Sequence, residues 1–405
     1  MKLLECGTVI DGEVNTPVED GRILIEDEII SEVGPAESIS APTEAEQIDF
    51  SDKTVIPGLI DAHLHLTGSR SMDPIKWTTE SETLGAARAT ADLRNLLRAG
   101  FTSVRDVGSK TGLGLRDAVA ENEIPGPRIF TSGQAISQTA GHGDSHMLPH
   151  DWVKDGQGIS ALADGEDECR KEARKRIRDG VDLLKIMTTG GVLSEKDAPD
   201  QSQFTDAEIK AFTEEAHRVG IPVASHAQGA PGIKSAIRNG VDTIEHGFYL
   251  DEEALDLMKE HETTFVPTLS IMHQLVTHGD EHGVPEYGLK KAREARKAHF
   301  DAVERAYSAD IPIALGTDFI GPELVPHGDN ALEAELFVTE VGMDEMDAIK
   351  SGTSVAARTV PADDIGYLRP EYKADITVID GDPLADITNL YNVEAVFKNG
   401  VRTNP

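Results

Sequence analysis

A chain of 405 residues, 39% of them hydrophobic, is long enough for one barrel-sized core of roughly 250 residues beside a smaller companion domain. Its 72 Asp+Glu against 38 Lys+Arg give a formal net charge of −34, which repels polyanions and argues against nucleic acid or anionic membranes as partners. The two cysteines, Cys6 and Cys169, make no CxxC pair or disulfide framework, and no apolar run suits a signal peptide or membrane span, so the expectation is a soluble cytoplasmic protein. Nothing in the composition decides the oligomeric state, and a homo-oligomer is compatible with it. The acids are dispersed rather than gathered in a tail. Such self-repulsion loosens a compact state unless salt screens it, so the composition predicts a halophilic protein. Its thermal midpoint should rise between low salt and molar KCl; equal melting at both would remove the idea.

In chain order, residues 1–56 alternate short apolar strands with Gly and Asp turns, as in "GTVIDGEV" and "GRILIEDEIISEVG". "VIPGLIDAHLHLTG", residues 55–68, then ends an apolar strand on His63-Leu64-His65. Period two puts Asp61, His63 and His65 on one face. Two imidazoles side by side suit a divalent metal if further ligands arrive from elsewhere, and equally suit polar residues where a strand meets a loop.

A unit of charged helix, Gly and short apolar strand then recurs: "LLRAGFTSVRDVG", "KRIRDGVDLLKIM", "AHRVGIPVASHAQ" and "AIRNGVDTIEHG". Gly100, Gly180, Gly220 and Gly240 stand where a helix end needs left-handed backbone. Thr205 and Glu208 have capping-box spacing for a helix over 205–218. Eight strands are expected near 57–65, 101–107, 128–136, 181–188, 221–227, 241–247, 263–269 and 311–318. Alternation with helices implies an α/β fold, a (β/α)8 barrel over 57–358, with no Gly-rich dinucleotide loop after the first strand. Residues 359–405 resemble the N-terminal segment, so the two ends are expected to pair into one small β-sandwich. Long loops, "SQTAGHGDSHMLPHDW" and "DEHGVPEYG", are expected over the face where barrels keep their chemistry.

The strand ends carry a pattern. Strand one supplies His63 and His65, strand five His226, strand six His246 and strand eight Asp318, while Lys185 sits inside the apolar run of strand four. A barrel brings these ends to one rim. Burial favours a neutral Lys185, which either pairs with Asp182 or Glu245 or captures CO2 as a carbamate.

This set, with "TSVRDVG", "LLKIMTTGGV", "SHAQG", "TIEHGFYLDEE", "GTDF", "HGDNALEAEL" and the closing "KADITVIDGDPL", resembles the amidohydrolase superfamily with a binuclear metal centre. It is most similar to the branch of Xaa-Pro dipeptidases and imidazolonepropionase-like proteins. The resemblance covers nearly the full length and implies a distorted barrel with a β-sandwich built from both termini. It implies that His63, His65 and Asp318 bind one cation, that His226 and His246 bind a second, and that carboxylated Lys185 bridges them together with a hydroxide. Zinc suits these donors best, with Mn or Co also accommodated. Asp318 would serve as base and then acid, and the substrate would be a small molecule: a dipeptide or N-acyl amino acid cleaved at its amide bond. The rivals are opening of a cyclic amide, which needs one metal and no bridging lysine, and a non-catalytic scaffold. Candidate substrate contacts are His142, Tyr249, His327 and Arg105, the last equally suited to bracing the barrel. Asp61 is a candidate support for the metal ligands. His273, His278 and His282 are expected in a solvated loop, and His217, His261 and His299 on helix surfaces.

Overall fold

Strand alternation and tight turns fold the N-terminal segment into β1 (Lys2–Val9), β2 (Val18–Glu26) and β3 (Ile29–Pro35), an antiparallel meander, with β4 (Glu46–Pro57) running parallel to β1. The structure, a computed structural model, describes residues 1–403. After Gly58 the chain enters the barrel as β5 (Leu59–Leu64), every residue of which is buried. β5 pairs in parallel with β6 (Phe101–Asp106), and β6 with β7 (Arg128–Thr131). The third predicted strand breaks here. Gly133 takes a φ of +58°, which a side chain would resist, and the chain resumes as β8 (Ile136–Ser137), beside the short β9 (Ala161–Leu162).

β10 (Leu184–Met187) pairs with β8 and with β11 (Val223–Ala227); β11 pairs with β12 (Thr243–His246), and β12 with β13 (Thr264–Val266), all in parallel. The Asp182 N–H donates to Thr131 O at 2.9 Å, joining the two sheets. The eighth predicted strand forms no regular ladder. Pro312 lacks an N–H, and a Cβ on Gly316 would stand 2.8 Å from the Cβ of His63, so the backbone there lies hard against β5. Isolated parallel bridges, Phe265 to Ile313 and Leu64 to Phe319, still place this segment between β13 and β5. The order is that of a distorted (β/α)8 barrel.

The helices of the repeated unit fall where the periodicity put them. The one over Asp206–His217 has the full Thr205/Glu208 capping box, and Gly100, Gly180, Gly220 and Gly240 all adopt left-handed φ values of 77–90°. Three strands then return to the terminal domain: β14 (Ile376–Ile379), β15 (Val393–Lys398) and β16 (Val401–Arg402). β14 runs antiparallel to β4, giving one seven-stranded ladder in the order β16-β15-β14-β4-β1-β2-β3. Leu4, Ile23, Ile25, Val55, Ile376 and Phe397 form its core. It is tied to the base of the barrel by Gly58 N–H to Asp375 O at 2.8 Å and an Arg128–Asp375 ion pair at 2.6 Å. Cys6 and Cys169 are both buried and free. Among the described residues no helix is long and apolar enough to cross a membrane.

Candidate metal centre

His63, Lys185, His226 and His246 lie on β5, β10, β11 and β12; His65 follows β5 directly, and Asp318 closes the eighth segment. All six line one cavity of about 210 Å³. The His63 ring centroid is 5.6 Å from that of His65 and 4.9 Å from that of His246, and His226 and His246 are 4.6 Å apart. Asp318 Oδ1 lies 3.1 Å from His65 Nε2 and 3.5 Å from His63 Nε2.

Strand alternation alone would point Glu245 and His246 to opposite faces. Both nevertheless reach His63, because His246 takes a φ of +73°. Asp318 (φ +58°) and Thr268 (φ +57°) are bent the same way. Such backbone is costly for residues with a Cβ and persists only where the surroundings enforce it. The enforcing contacts are visible. Thr268 Oγ1 meets His246 Nδ1 at 2.8 Å. Glu333, fully buried, accepts the next two backbone N–H groups, those of Leu269 at 2.8 Å and Ser270 at 2.6 Å, and so caps the helix Leu269–His278 from outside. Asp61 accepts from Asn330 Nδ2 at 2.6 Å, Thr317 Oγ1 at 2.7 Å and the His63 N–H at 2.9 Å, fixing the approach to Asp318. Glu245 meets His63 Nδ1 at 2.6 Å and takes the Arg105 guanidinium at 2.8 Å. His226 Nε2 lies 3.1 Å from Gly190 O. One nitrogen of each of these three rings is thereby engaged, leaving the other for the cavity.

Burial pushes His226 and His246 well below the usual histidine range, so both are neutral imidazoles, the form that binds metal. Burial opposes charge on Asp318, but His63 and His65 outweigh it and hold the carboxyl well below its ordinary range. Lys185 has neither partner that the sequence offered. Asp182 is taken by Arg116 at 3.0 Å and the Thr131 N–H at 2.9 Å, and Glu245 by Arg105 and His63. Among the described residues the buried ammonium nitrogen has no hydrogen-bond partner, and desolvation lowers the amine to about 8 against the pull of Glu245 and Asp318.

The four candidate substrate contacts divide. His142 lines the cavity, stacked on His226 at 4.2 Å and held by Ser194 Oγ at 2.8 Å. Arg105 does not reach the cavity. It is fully buried, bound to Ala62 O, Thr243 and Glu245, and braces the barrel from inside. His327 is buried behind the site with Nε2 3.1 Å from His65 O, because its loop packs beneath that residue. Tyr249 is half-buried against the core, in the turn that Leu250 N–H closes onto Gly247 O, and is not among the lining residues.

His299, expected on a helix surface, is fully buried, since its helix packs against Pro267 and Phe248: Nε2 lies 2.7 Å from Pro267 O and burial lowers the ring to about 3. His273 and His278 belong to the helix Leu269–His278 rather than to a loop. Sequence reasoning passed over Gln228, two residues beyond His226, which lines the cavity with a buried carboxamide oxygen that has no partner among the described residues. It also passed over Glu333, whose place in "HGDNALEAEL" reads as an ordinary helix acid.

Neutral imidazoles, an ionised carboxylate and an orphaned buried amine form a donor set that fits divalent cations. The ligand atoms of His63, His246 and Asp318 all lie within 4.8 Å of one another. Such donors on the rim of a parallel barrel define a metal-dependent hydrolase. Comparison with known proteins is specific: residues 54–403 match the amidohydrolase family, and the chain belongs to it. It is 33% identical to the ochratoxinase of Aspergillus niger over 411 aligned residues, covering 97% of this chain and 84% of that protein. It is 26% identical to the imidazolonepropionase of Streptomyces avermitilis, over 90% of this chain and 81% of that one. Among solved structures, a prolidase in complex with N-methylphosphonate-L-proline superposes with a TM-score of 0.92 at 34% identity, covering 100% of this chain and 99% of that one.

Proposed function

We propose that the protein hydrolyses the amide bond of a dipeptide or N-acyl amino acid, using two divalent cations and a carboxylated Lys185. The observation that carries this reading is the orphaned Lys185 amine among the metal donors. A neutral amine adds to CO2 and releases a proton, and the carbamate oxygens so formed are anionic ligands. His63, His65 and Asp318 would hold one cation, His226 and His246 the other, and the carbamate would serve both. Bound cations polarise the scissile carbonyl and acidify water at neutral pH. Asp318 takes the proton from the attacking water and delivers it to the departing nitrogen, acting as base and then as acid. His142, on the same wall, faces the substrate. Zinc matches the nitrogen and oxygen donors best. The prolidase and ochratoxinase relatives favour a linear amide, and a bridging lysine is superfluous for a one-metal cyclic-amide opening. The acidic composition supports work in a salty cytoplasm.

Metal analysis of protein purified without chelator, paired with a hydrolysis panel, tests the reading. It expects about two equivalents per chain, in line with a two-cation site, and release of free amino acid from linear amides. One equivalent together with turnover of imidazolonepropionate would transfer the protein to the cyclic-amide reading, and no metal with no turnover to a scaffold.

A further inference from the structure

Two unlike sets of side chains line the cavity: the metal donors with His142, and an apolar set of Ile271, Met272 and Leu275 from the helix Leu269–His278 with Trp77 and Leu193. Positions 271 and 275 are i,i+4 and positions 272 and 275 are i,i+3, so the three share one helix face. They are 5%, 1% and 3% exposed. This wall is rigidly placed relative to the chemistry: its helix begins immediately after Thr268, which holds His246, and Glu333 caps its first turn. The acidic and basic groups of the lining outside the metal donors and His142 are Lys76, which is exposed, and Glu80, Glu82 and Lys110. Glu80 is paired with Arg88 at 2.7 Å, and Lys110 binds Gly156 O at 2.6 Å and lies 3.7 Å from Glu82. No charged residue stands on the 271–275 face to meet a polar side chain.

We infer, given the amide-hydrolase reading above, that one arm of the substrate is a bulky apolar side chain, branched aliphatic or aromatic, seated against Ile271, Met272 and Leu275. Seating it removes apolar surface from water on both partners, whereas a charged arm laid on these three aliphatic side chains would lose hydration against them. Leu275, in contact range of both other positions on the face, is the specificity-determining residue.

The test uses the metal-loaded enzyme and a panel of dipeptides and N-acyl amino acids carrying Gly, Leu, Phe, Lys or Glu on either side of the bond. The expected result is a kcat/KM for Leu or Phe about tenfold or more above Gly, Lys and Glu at one of the two positions. A flat series, or one led by Lys or Glu, overturns the inference while leaving amide hydrolysis standing. A binding measurement separates the two failures. Thermal shifts with N-acetylphenylalanine and N-acetylglycine read the wall without turnover: a larger shift for the former supports it, and equal shifts overturn it even if the hydrolysis assay fails. Leu275→Ala should shrink the Phe-to-Gly ratio of kcat/KM severalfold, and the milder Leu275→Val should move it the same way. An unchanged ratio in a folded Leu275→Val enzyme removes Leu275 from that role.

Discussion

Asp318→Asn should keep its metal and lose about 100-fold or more in kcat. The substitution is nearly isosteric, so the contacts to His63 and His65, at 3.5 and 3.1 Å, can persist through the remaining carbonyl oxygen. The left-handed backbone at 318 also tolerates Asn as readily as Asp. What disappears is a group able to accept a proton from water and return it to a leaving nitrogen. Steady-state kinetics with metal analysis on the same sample decides the matter. Near-normal turnover would rule out the proton shuttle, and loss of metal together with activity would reassign Asp318 to cation binding alone.

Lys185→Ala has the second large effect: it should lose most of the bound metal and nearly all activity, and a short carboxylic acid such as formate or acetate should restore part of both. The argument is steric and electrostatic. Truncation leaves space beside His226 and His246, where the buried amine had no hydrogen-bond partner. A small carboxylate can enter that space and supply the anionic oxygens a carbamate would. Because Asp182 and Glu245 are engaged elsewhere, neither can take over. Metal content and rate identical to wild type would show that no carbamate forms, and unchanged metal with lost activity would place Lys185 in the reaction but outside cation binding.

Much of the fold was legible because its signals are local. The helix–Gly–strand unit marks four of the crossovers within about a dozen residues of chain each, and the left-handed glycines and the Thr205 capping box form where those rules put them. The misread positions were those where contact from elsewhere overrides local pattern. The eighth strand looked regular, yet Gly316 is pressed onto His63 and the segment makes only isolated bridges. His299 has the neighbours of a surface residue in sequence, and is buried because its helix lies over Pro267 and Phe248. Glu333 reads as an ordinary helix acid within "HGDNALEAEL"; its importance comes from the distant helix it caps.

The sequence by itself determined the kind of donor at each strand end and that these ends would meet, since strand periodicity and the parallel order of a barrel follow from short-range pattern and chirality. Only the tertiary structure decided which side chains are free to act. Arg105 and His327 are consumed as internal supports, and Lys185 is left unpaired, because the competing partners come from segments far away in sequence. A buried polar group takes whichever partner the packed chain brings within about 3 Å, and no local rule names that partner in advance.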